Sequence, residues 1–155
     1  MLGLDTSPFI YHLETHPRYG PAAATLFEWL EERGSSAVTS TVTMTELLVH
    51  PYRKDDVDRV NRIYAFASTY PNLGWLPTTL DIADEAARLR AKYGLRTPDA
   101  IQVATALSAG ATGFVGNDRG FTRVADLEIL LLDHVVARDL APTTTKQAPD
   151  GDRGD

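Results

Sequence analysis

Thr97-Pro98-Asp99-Ala100-Ile101-Gln102-Val103-Ala104-Thr105-Ala106 runs on through Leu107 to Gly110, and Gly113-Phe114-Val115-Gly116 then leads into Asn117-Asp118. This stretch decides the fold. Thr97 reads as a helix N-cap, and Pro98 suits the first helical position, where its missing N–H would have had no partner. Ile101, Ala104 and Leu107 recur with helical spacing, and Gly110 closes the helix. The apolar run after it reads as a buried strand with an acid just past its end.

The same alternation extends toward the N-terminus. Met1 to Leu4 reads as a short buried strand ending at Asp5. Pro21 opens a helix with its apolar face at Ala23, Leu26, Phe27 and Leu30, stopped by Gly34. Ala37-Val38-Thr39 is a second strand, and Ser40 to Thr45 lead into a helix through Glu46, Leu47, Leu48 and Val49 that Pro51 is expected to end. Val57, Val60, Ile63, Tyr64 and Ala67 mark a further helix, and Leu73 to Leu76 a strand between Pro71 and Pro77. Ile82, Ala86, Leu89 and Tyr93 mark another helix, with Asp84 and Glu85 early, Arg90 and Lys92 late and Gly94 after it. Leu127, Ile129 and Leu131 alternate like a last strand. Strands that alternate with helices predict an α/β fold, a parallel sheet covered on both faces. Residues 1–140 form the expected domain. Residues 141–155, rich in Pro, Thr, Gly, Asp and Lys, read as a disordered tail.

The 155 residues, 43% of them hydrophobic, suffice for one domain with a real core. The chain has no cysteine, which excludes disulfides, thiolate zinc sites and cysteine nucleophiles. No run approaches the roughly 18 apolar residues of a membrane span. Met1-Leu2-Gly3-Leu4-Asp5 has no basic region and no signal-peptide stretch, so a cytoplasmic location is expected. The net charge of −6 argues against a simple nucleic-acid binder. A carboxylate metal site would itself account for part of that charge. The bases fall in groups: Arg53, Lys54, Arg59 and Arg62; Arg88, Arg90, Lys92 and Arg96; Arg119 and Arg123. Each group alone reads as a solvated helix face.

Ligands in open α/β sheets bind beyond the carboxyl ends of the strands. Asp5 follows the first strand, and Asp118 lies two residues past Gly116. Glu46 lies in the helix after the second strand, and Asp99 is expected at the second position of its helix. Each also has a plain structural explanation: Asp5 as a cap, Asp99 as a complement to the helix dipole, Asp118 as a turn residue, Glu46 as an exposed helix residue. Gathered at one sheet edge they would repel unless a cation lay among them. Oxygen donors without Cys or His suit Mg²⁺ or Mn²⁺ better than zinc. Such ions lower the pKa of a bound water and neutralise charge on a phosphate.

Leu4-Asp5-Thr6-Ser7, Thr45-Glu46-Leu47, the run from Thr97 to Ala106 and Gly116-Asn117-Asp118-Arg119-Gly120-Phe121 resemble the four acidic motifs of PIN domains. Their order and spacing most resemble the VapC-type toxins of bacterial toxin–antitoxin pairs, over about residues 1 to 135. The resemblance implies a PIN-like three-layer α/β/α sandwich and an endoribonuclease that uses Mg²⁺ or Mn²⁺ to cut structured RNA such as tRNA or rRNA. It also implies a homodimer, and an antitoxin protein that blocks the site. Asp5, Glu46, Asp99 and Asp118 become the catalytic metal quartet, with Thr6, Ser7 and Asn117 in support. This chain departs from many relatives at Gly116, where they carry Thr or Ser. It departs at Gly120 too, where several carry a further acid.

Three rival readings remain. A phosphohydrolase with an aspartyl nucleophile usually has a second Asp two residues after the first, where this chain has Ser7, and a lysine that is lacking between Asp99 and Asp118. A catalytically silent PIN-like module that binds RNA or protein would typically have lost part of the quartet. DNA as substrate is left open, because nothing in the motifs reads a 2′-hydroxyl. His12, His16, His50 and His134 lack metal-ligand spacing and read as structural or surface residues. Trp29 and Trp75 are expected in the core. Phe9, Ile10, Tyr11 and Leu13 read as core packing, a dimer face or an antitoxin groove.

Overall fold

The computed structural model describes residues 1–139. The expected tail lies outside them. Five strands form one all-parallel sheet in the order β3-β2-β1-β4-β5: β1 Leu2–Leu4, β2 Ala37–Ser40, β3 Leu73–Leu76, β4 Gly113–Gly116 and β5 Glu128–Leu131. Among the described residues, seven α-helices accompany it: α1 Thr6–Leu13, α2 Gly20–Glu31, α3 Val42–Arg53, α4 Val57–Thr69, α5 Leu80–Tyr93, α6 Thr97–Ser108 and α7 Leu132–Asp139. A 3₁₀ turn spans Arg119–Arg123.

The sheet separates two cores, which makes the three-layer α/β/α sandwich expected from the sequence. Ala86 and Leu89 of α5, Val103 and Ala104 of α6 and Phe114 of β4 pack with Phe121 on one face. On the other, Phe9, Phe27, Leu47 and Ile63 from α1 to α4 pack against Leu4, Ala37 and Val115. Phe114 and Val115, adjacent in β4, point into opposite cores, as the pleat requires. Gly3 allows the layers to approach. A Cβ there would lie 2.3 Å from the Ala106 Cβ and 2.7 Å from the Phe114 ring, so α6 rests directly on the β1 backbone.

Several boundaries differ from the sequence reading. α1 and α7 were not expected. α1 is short and rich in Ser, Pro and aromatic residues, but Asp5 caps it by accepting from the Ser7 N–H. α3 does not stop at Pro51. It carries the proline inside its last turn and ends at Arg53, forgoing the one backbone bond that residue cannot donate. α2 ends at Glu31, three residues before Gly34, which takes a φ of 91° in the loop. Arg96 rather than Thr97 is the N-cap of α6, so Asp99 is the third helical residue, not the second. Trp29 and Trp75 are half-buried and pack against the second core.

Candidate active site

The chain lays down β1, β2 and β3 outward in one direction, then crosses back to place β4 on the other side of β1. The carboxyl ends of β1 and β4 therefore flank the switch point where open parallel sheets hold their ligands. Asp5 and Asp118 follow these two strands, and the Asp5 N–H bonds the Val115 carbonyl at 2.9 Å, which extends the β1–β4 ladder to the site.

Asp5 and Glu46 form one half of the site. The Ser7 hydroxyl donates to Asp5 Oδ2 at 2.8 Å. Burial pushes the Asp5 carboxyl above the ordinary carboxylate range; donation from Ser7 and the backbone opposes this, and the nearby charge of Glu46 adds to it. Asp5 as a residue keeps intermediate exposure while its carboxyl lies deep. Glu46 is exposed on α3 and accepts a hydrogen bond from the Thr6 hydroxyl. Both hydroxyls of the first motif are thus engaged with acids. Glu46 also lines a small cleft with His50, Glu14 and Arg59, where Arg59 is paired with Glu14.

Asp99 and Asp118 form the other half. The Arg96 guanidinium joins them, with Nε 2.8 Å from Asp99 Oδ2 and Nη2 3.0 Å from Asp118 Oδ2. The hydrogen bond that Arg96 donates to Asp99 and the charges of Asp99, Asp118 and Asp5 hold Arg96 firmly protonated. The Asp99 side chain is 15% exposed and that of Asp118 47%. Asp118 also caps the 3₁₀ turn, accepting from the Gly120 N–H at 2.6 Å. Gly94, Arg96, Asp99, Asp118, Gly120 and Arg123 line a cleft of about 200 Å³ here. Gly116 lies between the halves; a Cβ on it would meet the Asp5 Cβ at 3.2 Å and the Phe121 ring at 3.1 Å. A hydroxyl-bearing residue would be crowded at this position.

Asn117 is engaged with Tyr11 and Asp133. Its Nδ2 donates to the Tyr11 hydroxyl at 3.1 Å and its Oδ1 accepts from the Asp133 N–H at 2.9 Å, which ties the end of β4 to α1 and α7. Arg96 and Gln102 are the residues that sequence reasoning passed over. In the sequence Arg96 reads as one of a run of solvated bases, and Gln102 as one residue of the motif from Thr97 to Ala106.

The donor set is chemically suited to a hard divalent cation: carboxylate oxygens, no sulfur, and a site that already accommodates a positive group between Asp99 and Asp118. Among the described residues, no three of His, Cys, Asp and Glu stand close enough together to share an ion. Nor, among them, is any helix long and apolar enough to cross a membrane.

A parallel α/β/α sandwich with acids beyond the carboxyl ends of its strands is built to hold a ligand there. The chain belongs to the PIN domain family, whose model matches residues 3–127. Members of this family are typically nucleases and generally use divalent metal ions. No curated protein matches the sequence. Among solved structures, the chain is similar to a chain of a toxin–antitoxin complex from Klebsiella pneumoniae (TM-score 0.62, 21% identity, 84% of this chain and 96% of that one). It is likewise similar to VapBC2 from Rickettsia felis bound to a DNA fragment from their promoter (TM-score 0.68, 18% identity, 84% and 97%). A third match is DNA-bound VapBC from Salmonella typhimurium (TM-score 0.60, 21% identity, 84% and 97%). At these identities the likeness is one of fold.

Proposed function

We propose that this protein is a metal-dependent endoribonuclease, the toxin of a toxin–antitoxin pair, and that Asp5, Glu46, Asp99 and Asp118 are its catalytic acids. The observation that supports this reading is that Asp5 and Asp118 follow the two strands flanking the switch point, with Glu46 bonded to Thr6 beside Asp5 and Asp99 joined to Asp118 through Arg96. Among the described residues no three of these acids stand close enough to share an ion, so the Asp5–Glu46 and Asp99–Asp118 pairs would hold Mg²⁺ or Mn²⁺ only by closing on it. The ion would supply acidification of water and charge neutralisation on the phosphate. Hydrolysis then adds water to phosphorus and breaks one P–O bond of the RNA backbone.

This chain's own residues do the positioning. Ser7 holds Asp5, Thr6 holds Glu46, and the Gly120 N–H holds Asp118. Arg96 and Arg123, on the cleft beside Asp99 and Asp118, are placed to take neighbouring phosphates. Structured RNA, tRNA or rRNA, is the substrate class this reading assigns. A cognate antitoxin and a homodimer are its protein partners; support for the antitoxin comes from the toxin–antitoxin complexes among the similar structures.

The test is cleavage of total cellular RNA by the purified protein with Mn²⁺, with Mg²⁺ and with EDTA, beside Asp5→Asn. Discrete fragments that need metal and vanish in the variant are the expected result. If parent and variant behave alike across RNA samples, the quartet is an inherited scaffold and the catalytically silent binding module replaces the nuclease.

A further inference from the structure

Beneath the Asp5–Glu46 half lies a group of polar side chains almost closed to solvent: Thr6, Thr39, Thr43 and Gln102 are each at most 5% exposed. Groups so placed must satisfy one another. The Gln102 amide, on α6 almost one turn beyond Asp99, sets their order. Its Nε2 lies 3.0 Å from Thr6 Oγ1 and 2.7 Å from Thr43 Oγ1, and its Oε1 faces the Ser40 backbone N at 3.4 Å. The Ser40 N–H can face only an acceptor, so the amide has one sensible orientation, oxygen to Ser40 and both N–H groups to the threonines.

Proton directions follow from that orientation. A hydroxyl that accepts from an amide N–H has its own proton free to give elsewhere. Thr39 gives its proton to the Leu4 carbonyl at 2.9 Å. Thr43, 2.8 Å from Thr39 Oγ1, gives its proton to that oxygen. Thr6 is then left to give its proton to the Glu46 carboxylate, because Thr43 already accepts from Gln102 and its oxygen lies 3.3 Å away.

We infer that Gln102 is a positioning residue: by donating to Thr6 it commits the Thr6 hydroxyl as a standing donor to Glu46 and so fixes that carboxylate at the site. Thr6 is accordingly spent on Glu46 and does not contact substrate. Only the kinetic consequence rests on the nuclease reading; the hydrogen-bond order does not.

The experiment has a metal-free arm and a kinetic arm. By NMR, the Thr6 hydroxyl proton of the parent should exchange slowly with water and show cross-peaks to the Gln102 amide protons and the Glu46 methylenes. In Gln102→Met, which keeps the length and removes both donors, that protected proton should be lost. In RNA cleavage Gln102→Met should lower kcat by roughly tenfold, the lower end of the effect of losing a group that orients a metal ligand, with KM within about twofold. In a Thr6→Val background the same change should lower kcat no further, because both act through one hydroxyl. A parent spectrum with a freely exchanging Thr6 hydroxyl overturns the inference whether or not any variant folds. A folded Gln102→Met that keeps the parent kcat overturns it too, as does a rise in KM alone. A parent inactive on RNA whose Thr6 proton is present, and lost in the variant, overturns the nuclease reading and supports the positioning role.

Discussion

The two halves of the site are built on different physics. Asp5 and Glu46 are held from below, by Ser7 and Thr6, over a buried threonine–glutamine network. Asp99 and Asp118 are held from outside, by the guanidinium of Arg96, whose side chain is 74% exposed. A carboxylate fixed by packed neighbours keeps its geometry with or without a ligand. An exposed ion pair is worth little and can be exchanged for another cation. The comparison implies that one half is ready in advance, and that the other is stabilised by a resident positive charge which a metal ion would have to displace.

Replacing one acid from each half separates the two kinds of support, and the largest effects are expected here. Asp5→Asn and Asp118→Asn should each lower RNA cleavage by at least about a hundredfold, the upper end of what the loss of a group behind a ligand costs. Their stabilities should diverge. Asn at position 5 can still cap α1, and it removes a carboxylate whose burial disfavours its charge. Melting should therefore rise, by about 3 °C if the relief is on the order of 1 kcal/mol. Asp118→Asn breaks an exposed pair while its amide oxygen can still accept from the Gly120 N–H, and it should leave melting within about 1 °C. If thermal melts show both variants destabilised alike, the halves are not different in kind.

The next effect concerns stability and sharpens what lies beneath the buried half. Gly3→Ala drives a Cβ into Ala106 and Phe114 and must push α6 off β1. A cost of about 2–3 kcal/mol is expected, seen as a fall in melting temperature of roughly 8 °C. Cleavage per folded molecule should fall as well, because α6 carries both Asp99 and Gln102. An unchanged melting temperature would show that the layers yield more easily than the contact distances indicate.

A smaller effect is expected on the open side. Removing the guanidinium with Arg96→Ala should tighten Mn²⁺ binding, measured calorimetrically, by roughly fivefold, what about 1 kcal/mol of screened competition gives. Weaker binding in Arg96→Ala would make Arg96 a support of the metal site rather than its rival.

The legibility of these features follows the same division. Period and punctuation in the sequence led to the sheet, because strands such as Gly113–Gly116 stand between clear helical stripes, and the acids after β1 and β4 could be placed on strand ends at once. Features that depend on contact across layers could not be read. Gly3 is unremarkable in a strand until Ala106 is found above it, and Gln102 looks like one residue of a helix face until Thr6 and Thr43 meet it. Arg96 illustrates a third limit. Its place in a basic run suggested a solvated face, whereas its position as the N-cap of α6, with Asp118 opposite, sends it across the site. Asp5 shows that the proposed functional role and a structural role need not compete, since it caps α1 with the same carboxylate that feels the charge of Glu46.

The smallest expected effect lies outside both halves and shows whether pH acts on the site or on its support. His12 on α1 packs against the rings of Phe27 and Phe66, with centroids 4.6 Å and 5.7 Å away. Burial lowers its pKa below the usual 6.5, against the opposing charges of Glu28 and Glu31 on α2. The unfolded chain therefore takes up a proton at this residue before the folded one does. The contribution of His12 to stability is complete above pH 6.5 and is lost as pH falls from there through its lower folded value. Melting of the parent between pH 7.5 and 5.5 should decline more steeply than melting of His12→Gln, which has no proton to gain. Because α1 carries Thr6 and is capped by Asp5, the acid-side loss would reach the buried half of the site first. Parallel melting curves for the two proteins would place the pH response elsewhere in the fold.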